Sequence, residues 1–246
     1  MSAHPDPIDS ARQLLAGSFF GILSTRSQAM PGYPFGSLVT FCLDYRGWPL
    51  FLLSHLAQHS RNLEADPHVS LTLVESGSGD PLQRPRLCLL GLMEAVADGE
   101  SDAINRYHRY YPDGRHYFGR LNFRFYRLRT ERAHIVAGFG LARWLDTERL
   151  IAANPFQPRE EELLLRDLNH NLQAELGKER PRLPISTRQA ICPDCAAVGV
   201  DAWGLDLRQN EGLKRLPFAV PLGNFAQVMA ALGEISGPSS APSADL

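Results

Sequence analysis

Short apolar segments alternate with turn-forming residues over about the first 150 positions of the chain. This pattern predicts strands over residues 18–24, 37–43, 48–53, 68–74, 86–97, 122–129 and 133–140. The prolines and glycines between these segments fit turns and short loops rather than long helical crossovers. About six short strands joined by hairpins favour a closed antiparallel barrel over a parallel α/β sheet.

Helix signals are fewer in this region. Asp9 and Ser10 predict the start of a helix over 10–16, which ends at Gly17. A second helix should follow the strand 48–53, with Leu56 and Leu63 on one face and Asp66-Pro67 at its end. A third is predicted over 98–111. Residues 44–47 indicate a hairpin turn, and Gly91 inside a long apolar strand indicates a bulge.

The pattern changes after residue 152. Residues 154–158 (NPFQP) have the composition of a linker, and 159–176 predict a charged helix with an apolar stripe at Leu163, Leu164, Leu168 and Leu172. Two short strands, 196–200 and 205–208, and a helix over 225–232 complete a small α+β unit. We therefore expect a mainly β fold with α: a barrel domain over 1–152, an α+β domain over 153–235 and a disordered tail over 236–246.

Composition narrows the functional classes. The formal net charge of −2 over 246 residues provides no overall field to recruit nucleic acid or an anionic membrane. No apolar run approaches the roughly 18 residues of a membrane span, and the first residues do not have the pattern of a signal peptide. We expect a cytoplasmic protein.

The four cysteines (Cys42, Cys88, Cys192 and Cys195) are too few for a disulfide framework, and the Cys192/Cys195 pair has no second pair for zinc.

A polar cluster stands between the strand 48–53 and the following helix. It contains Ser54, His59, Ser60, Arg61 and Asn62. Backbone N–H groups at a helix start can meet an anion there, and Arg61 supplies a permanent positive charge. The cluster therefore predicts a site for a phosphate- or carboxylate-bearing cofactor. The alternative is a solvated helix face with Ser54 as its N-cap.

Short groups of residues occur in a fixed order over most of residues 10–150: Gly32–Ser37, Phe41, Asp44, Gly47, Pro49, Ser54, Leu56-Ala57, His59-Ser60, Asn62-Leu63, Asp66-Pro67, Ser70-Leu71, Gly79–Pro81, Pro85–Leu87 and Gly138–Gly140. Together they resemble the flavin-binding split-barrel family, the pyridoxamine 5′-phosphate oxidase-like proteins, and within it the haem-utilisation branch of HugZ type. Residues 198–201, 204–207 and 216–218 resemble the small domain often appended to that branch.

This resemblance implies a six-stranded antiparallel split β-barrel that forms a homodimer, with cofactor sites in the clefts between subunits. It implies FMN as the cofactor of an oxidoreductase, with Ser37, Thr40 and Arg86 added to the polar cluster as cofactor-binding residues. The family's usual Arg, Lys, Arg and Lys positions hold Gly36, Phe41, Gln58 and His59 here. Three of the four cations are thus replaced by uncharged residues.

Two alternatives to FMN remain open. One is a haem-binding or haem-degrading protein of the HugZ type, for which His134 is the candidate axial ligand because it enters the last strand beside the Gly138–Gly140 segment. The other is a cofactor-free binding or structural dimer. No catalytic side chain is identified, and no metal site apart from haem iron is expected.

Overall fold

The structure, a computed structural model, describes residues 6–97, 99–118, 122–137, 142–176, 195–210 and 212–233. The chain divides into two compact units, Met1–Asn154 and Pro155–Leu246. Residues 138–140, the tail 236–246 and Cys192 were singled out by the sequence and lie outside the described residues. None of the helices in the described ranges combines the length and apolarity needed to cross a bilayer.

The first unit consists of one large antiparallel sheet with short helices. In chain order its elements are α1 Pro7–Gly17, β1 Phe20–Arg26, β2 Pro34–Thr40, β3 Cys42–Leu43, β4 Pro49–Ser54, α2 Gln58–Ala65, β5 His68–Val74, a 3₁₀ turn Pro81–Gln83, β6 Arg86–Ala95, α3 Ser101–Tyr110, α4 Gly114–Phe118, β7 Phe123–Val136, β8 Ala142–Leu145 and α5 Thr147–Leu150.

The strand order explains the curvature of the sheet. Strands follow one another as β2-β1-β5-β6-β7-β4-β3, with β8 also paired to β7. The two end strands, β2 and β3, are consecutive in the chain and separated only by Phe41, which is fully buried. Because one residue joins its two ends, the sheet must curl around its core. The core side is lined by large aliphatic side chains: Leu23, Leu71, Leu73, Leu87, Leu89, Leu128 and Ile135.

The strand prediction was right in type and wrong in number. Eight strands form the sheet instead of six, partly because the predicted strand 37–43 is divided at Phe41 into β2 and β3. Conversely, the structure has one continuous strand, β7, over Phe123–Val136, where the sequence predicts two strands, 122–129 and 133–140. The bulge predicted at Gly91 is confirmed, since the β6–β7 register shifts between Leu90 and Gly91.

Two helix starts differ from the prediction. Helix α1 begins at Pro7, and the Asp6 side chain accepts a hydrogen bond from the Ile8 N–H at 2.9 Å as its N-cap. Helix α2 begins at Gln58 after Ala57, which offers no side-chain cap, so Ser54 is not its N-cap. Leu56 consequently lies outside the helix and is exposed, whereas Leu63 packs in the core as expected.

The second unit is a three-stranded antiparallel sheet with two helices in the described residues. Its elements are α6 Pro158–Leu176, β9 Ala196–Asp201, β10 Gly204–Gln209, β11 Gly212–Pro217 and α7 Phe225–Gly233, with strand order β11-β10-β9. The strand β11 was not predicted. Of the predicted leucine stripe, Leu164 and Leu168 enter the core and Leu163 is exposed. The Arg215 side chain, 9% exposed, forms ion pairs with Asp201 and Asp206, which balance its charge inside this unit.

Candidate functional site

The polar cluster between β4 and α2 uses much of its hydrogen bonding to fix the local fold. The buried Ser60 hydroxyl donates to the Ser54 carbonyl at 2.7 Å. The Asn62 side chain is fully buried, donates to Thr25 Oγ1 at 2.9 Å and accepts from the Gln28 N–H at 3.0 Å. These bonds attach α2 to the end of β1 and to the loop after it. Ser60 and Asn62 thus have clear structural roles.

His59 and Arg61 are the remaining members of the cluster. Burial lowers the pKa of His59, so its imidazole stays neutral at neutral pH. Its Nε2 atom is buried and makes no hydrogen bond within the described part of the chain. Arg61 is exposed on α2. One exposed guanidinium is therefore the only permanent charge that these five residues offer to a phosphate.

Ser37 and Thr40 do not share a face of β2. Ser37 lies opposite Leu23, a core residue, and is half-buried on the inner side. Thr40 lies opposite Phe20 on the outer side, and its hydroxyl is 3.3 Å from the Tyr107 hydroxyl. Burial raises the pKa of Tyr107 to about 12, which keeps this phenol protonated. One cofactor edge could not contact both side chains from the same side of the strand.

A continuous row of side chains crosses the outer side of the sheet on six neighbouring strands. The pairing register places in line Leu38 of β2, Ile22 of β1, Thr72 of β5, Cys88 of β6, His134 of β7 and Trp144 of β8. Their chain neighbours Leu23, Leu71, Leu89 and Ile135 face the core, so alternation directs the row outward. We call this row and the adjoining outer positions the open face.

The open face is apolar at both ends. Phe20, Ile22, Leu38 and Trp144 are 58%, 44%, 69% and 61% exposed, respectively. Phe20, Ile22 and Leu38 adjoin one another on β1 and β2. A contiguous exposed apolar patch marks a surface that contacts a ligand or a partner.

His134 lies inside this row. It is half-buried, and its ring contacts the Trp144 ring edge-on, with a centroid distance of 5.0 Å and an interplanar angle of 61°. On its other side it faces Cys88, whose Sγ is 3.9 Å from the Thr72 hydroxyl. The strand pairing with both neighbours therefore holds the imidazole on the outer side of the sheet.

Two arginines flank His134 on the same side of the sheet. Arg86 precedes Cys88 by two positions on β6, and its Nη1 donates to the Leu82 carbonyl at 3.1 Å. Arg132 precedes His134 by two positions on β7 and is exposed, and its side chain makes no hydrogen bond or ion pair among the described residues. The arrangement combines one imidazole, two guanidinium groups and an apolar surround.

Of these residues, the sequence singled out His134 and Arg86 and missed Arg132 and Trp144. Arg132 could have been found by counting two positions back from His134 along the strand. Trp144 could not, because it meets His134 only through the pairing of β7 with β8.

Near the start of β7, the outer side of the sheet is covered by helix α3 instead of being exposed. Arg127 is 4% exposed; its Nε donates to Asp44 at 2.8 Å and its Nη2 to Glu100 at 2.7 Å. The rings of Tyr107 and His108 from α3 pack edge-on against Phe125. We call this helix-covered region the covered face. Arg127 is therefore a structural residue, and it does not reach a ligand on the open face.

The chain shows clear similarity to known proteins. Residues 4–151 match the family described as CREG, beta-barrel. Over 101 residues the chain is 39% identical to the non-canonical heme oxygenase HOZ, chloroplastic, of Arabidopsis thaliana. That match takes in 41% of this chain and 30% of the length of the Arabidopsis protein.

Two solved structures are similar over nearly the whole chain. One is a protein of unknown function from Agrobacterium tumefaciens, with a TM-score of 0.73 and 26% identity over 94% of this chain and 96% of that one. The other is a heme binding protein from Mycobacterium smegmatis, with a TM-score of 0.56 and 27% identity over 95% and 97%.

Proposed function

We propose, from the premise that this chain belongs to the CREG beta-barrel family, that the protein binds haem on its open face with His134 as the axial ligand. The observation that carries the proposal is the half-buried imidazole of His134 on the open face, between Cys88 and the exposed Trp144 and flanked by Arg86 and Arg132. The relatives support haem as the cofactor, because one is named a heme oxygenase and another a heme binding protein.

The residues of the open face fit the chemistry of haem. A neutral imidazole is a common protein ligand of haem iron. Arg86 and Arg132, on either side of His134, can form charge-assisted hydrogen bonds with the two propionates. Leu90 and Val136, at the outer positions two residues after Cys88 and His134, offer apolar surface for the macrocycle. When bound, haem would supply the iron-centred redox chemistry, while the protein binds and orients it.

We further propose that a second copy of the chain covers the open face. Phe20, Ile22 and Leu38 form the apolar edge of that face on β1 and β2 and would contact the partner. A homodimer of this kind would exclude water from the region around His134. It would also leave a cleft at the margin of the interface for the cofactor.

FMN is the competing cofactor. Its phosphate would have to bind near the start of α2, where the Ser60 hydroxyl is hydrogen-bonded to the Ser54 carbonyl, Asn62 is fully buried and Arg61 is the one permanent cation of the polar cluster. Charge-assisted hydrogen bonds are about twice as strong as neutral ones, so a phosphate anchored at one exposed guanidinium is weakly held. This contrast favours haem over FMN. In an oxidoreductase of this kind, the redox cofactor would then be haem.

The test of cofactor identity is a pair of absorption titrations of the full chain, one with haemin and one with FMN. We expect a saturable Soret shift with a Kd below about 10 μM, which corresponds to roughly −7 kcal/mol. We expect no saturable change of the flavin bands under the same conditions. Tight FMN binding without a haem response would overturn the proposal. No response to either would favour a cofactor-free dimer.

Haem breakdown is a second candidate function, favoured by the 39% identity to the non-canonical heme oxygenase. In that case haem is the substrate. The test is to incubate the haem-loaded protein with a reductant and dioxygen, and to follow the loss of Soret absorbance with ferrous iron trapped by a chelator. Loss of Soret absorbance with stoichiometric iron release supports degradation. A stable spectrum would limit the protein to haem binding.

A further inference from the structure

Trp144 is a large aromatic side chain that the fold holds beside the proposed haem ligand. It belongs to β8, a four-residue strand paired with β7, and lies directly opposite His134. The next residue, Leu145, is buried in the core opposite Ala133. Leu145 therefore anchors the strand and fixes Trp144 on the outer side, although the indole itself is 61% exposed.

The contact between the two rings constrains the imidazole. Ring centroids 5.0 Å apart at 61° form an edge-to-face pair, a favoured geometry for aromatic groups. Rotation of the His134 ring about its Cβ–Cγ bond would bring it into the indole or remove this contact. The remaining indole surface faces outward, where a flat macrocycle centred on the His134 nitrogen would extend over it.

We infer that Trp144 is a positioning residue for haem: it sets the plane of the His134 imidazole and provides the surface against which one edge of the macrocycle packs. This inference rests on the proposed function, because it assumes that haem is bound at His134. It adds a specificity element, since a small ligand of His134 would cover little of the exposed indole surface. Flat aromatic macrocycles should therefore bind more tightly than a simple imidazole-binding metal ion does.

The test compares Trp144→Leu and Trp144→Phe with Trp203→Phe as the matched control. The chain has three tryptophans, and Trp203 lies in the second unit. We expect Trp144→Leu to weaken haemin binding about three- to tenfold and Trp144→Phe to weaken it less, because phenylalanine keeps an aromatic edge. We expect Trp203→Phe to bind as the wild type does.

Two spectroscopic measurements separate positioning from a loss of structure. The g values of the cyanide complex of the ferric haem protein report the orientation of the axial imidazole, and we expect them to shift in Trp144→Leu. Haemin should quench tryptophan fluorescence less in Trp144→Phe than in Trp203→Phe, since the nearest emitter has been removed. Unchanged g values together with equal quenching in the two phenylalanine variants would overturn the inference.

Failure of the proposed function gives a different result. One such result is a wild type that shows no Soret shift with haemin, and another is a shift that replacing His134 leaves unchanged. Either result means that haem is not bound at His134, so both the proposed function and the role of Trp144 are wrong. If the wild type and the His134 variant behave as proposed and the Trp144 variants match the wild type in affinity, g values and quenching, only the positioning role is wrong.

Discussion

The strand β7 passes through two regions of one sheet surface that use their polar side chains in opposite ways. On the covered face, Arg127 is almost fully buried and donates to Asp44 and Glu100. On the open face, Arg132 is exposed without a partner among the described residues, and His134 contacts Trp144. The bulge near Glu131 shifts the alternation of β7 by one position, so Arg127, Arg132 and His134 all lie on the outer side of the sheet.

The difference between the two faces comes from helix α3. Its N-cap residue, Glu100, pairs with Arg127, and within the helix Arg106 Nε donates to the Leu43 carbonyl at 2.8 Å. Because the helix excludes water, each buried charge needs a fixed partner and becomes part of the fold. Where no described helix covers the sheet, the polar groups remain available. The covered face therefore stabilises the fold, and we propose that binding takes place on the open one.

The largest effect should follow from removing the central cation of the covered face. Arg127→Leu leaves the buried carboxylate of Asp44 without its ion-pair partner, and we expect the free energy of unfolding to fall by about 3–5 kcal/mol. Arg124→Leu is the matched control on the same strand, where the side chain is exposed and a change within about 0.5 kcal/mol is expected. Urea unfolding measures both. Equal losses would show that the covered face does not stabilise the fold as described.

The next effect tests the open face as a dimer interface. Leu38→Glu places a charge in the apolar edge, and we expect the dimer to weaken at least tenfold, about 1.4 kcal/mol or more. Leu56→Glu is the control, because Leu56 is similarly exposed, at 63%, but lies outside this face. Sedimentation measures the mass of each variant. If Leu38→Glu leaves the dimer unaffected, or if the wild type is monomeric, a second copy of the chain does not cover the open face.

A smaller effect concerns pH and sharpens the role of the covered face. The hydrogen bond from Arg127 lowers the pKa of Glu100. The unfolded chain therefore binds the proton more readily than the folded one, so the stabilisation is complete above the unfolded pKa of about 4.3 and is lost as pH falls through the folded value. Between about pH 6 and pH 3, the wild type should lose more stability than Glu100→Gln. Parallel pH profiles would contradict the assignment.

Much of the barrel was predictable where local signals agree. Strand β5 spans His68–Val74 as predicted, because it alternates cleanly and follows a helix stopped by Asp66-Pro67. The turn at residues 44–47 is present, with Gly47 at a φ of 81° that favours glycine.

The sequence predicts two strands where the structure has the single strand β7, and a bulge explains the difference. The bulge shifts its register opposite Leu90 and Gly91, so the alternation slips by one position near Glu131 and the period of two is interrupted. A pattern search therefore finds a break where the backbone continues.

The candidate site was less predictable. Local sequence drew attention to residues 54–62, where Ser60 and Asn62 form internal hydrogen bonds. The open face instead brings together residues from six strands, with Leu38 and Trp144 more than 100 positions apart. Such a row depends on strand order and register, which are set by tertiary packing. His134 was proposed from its place in the last strand, and it remains a prediction.

The most direct measurement of the central claim uses His134→Gly with imidazole rescue. Removing the side chain leaves room for a free imidazole at the ligand position on the open face. We predict that His134→Gly loses the Soret shift with haemin and that added imidazole restores it, while His68→Gly, which removes another outward-facing histidine, binds haemin as the wild type does. A His134→Gly variant with the wild-type Soret band in the absence of imidazole would contradict the account.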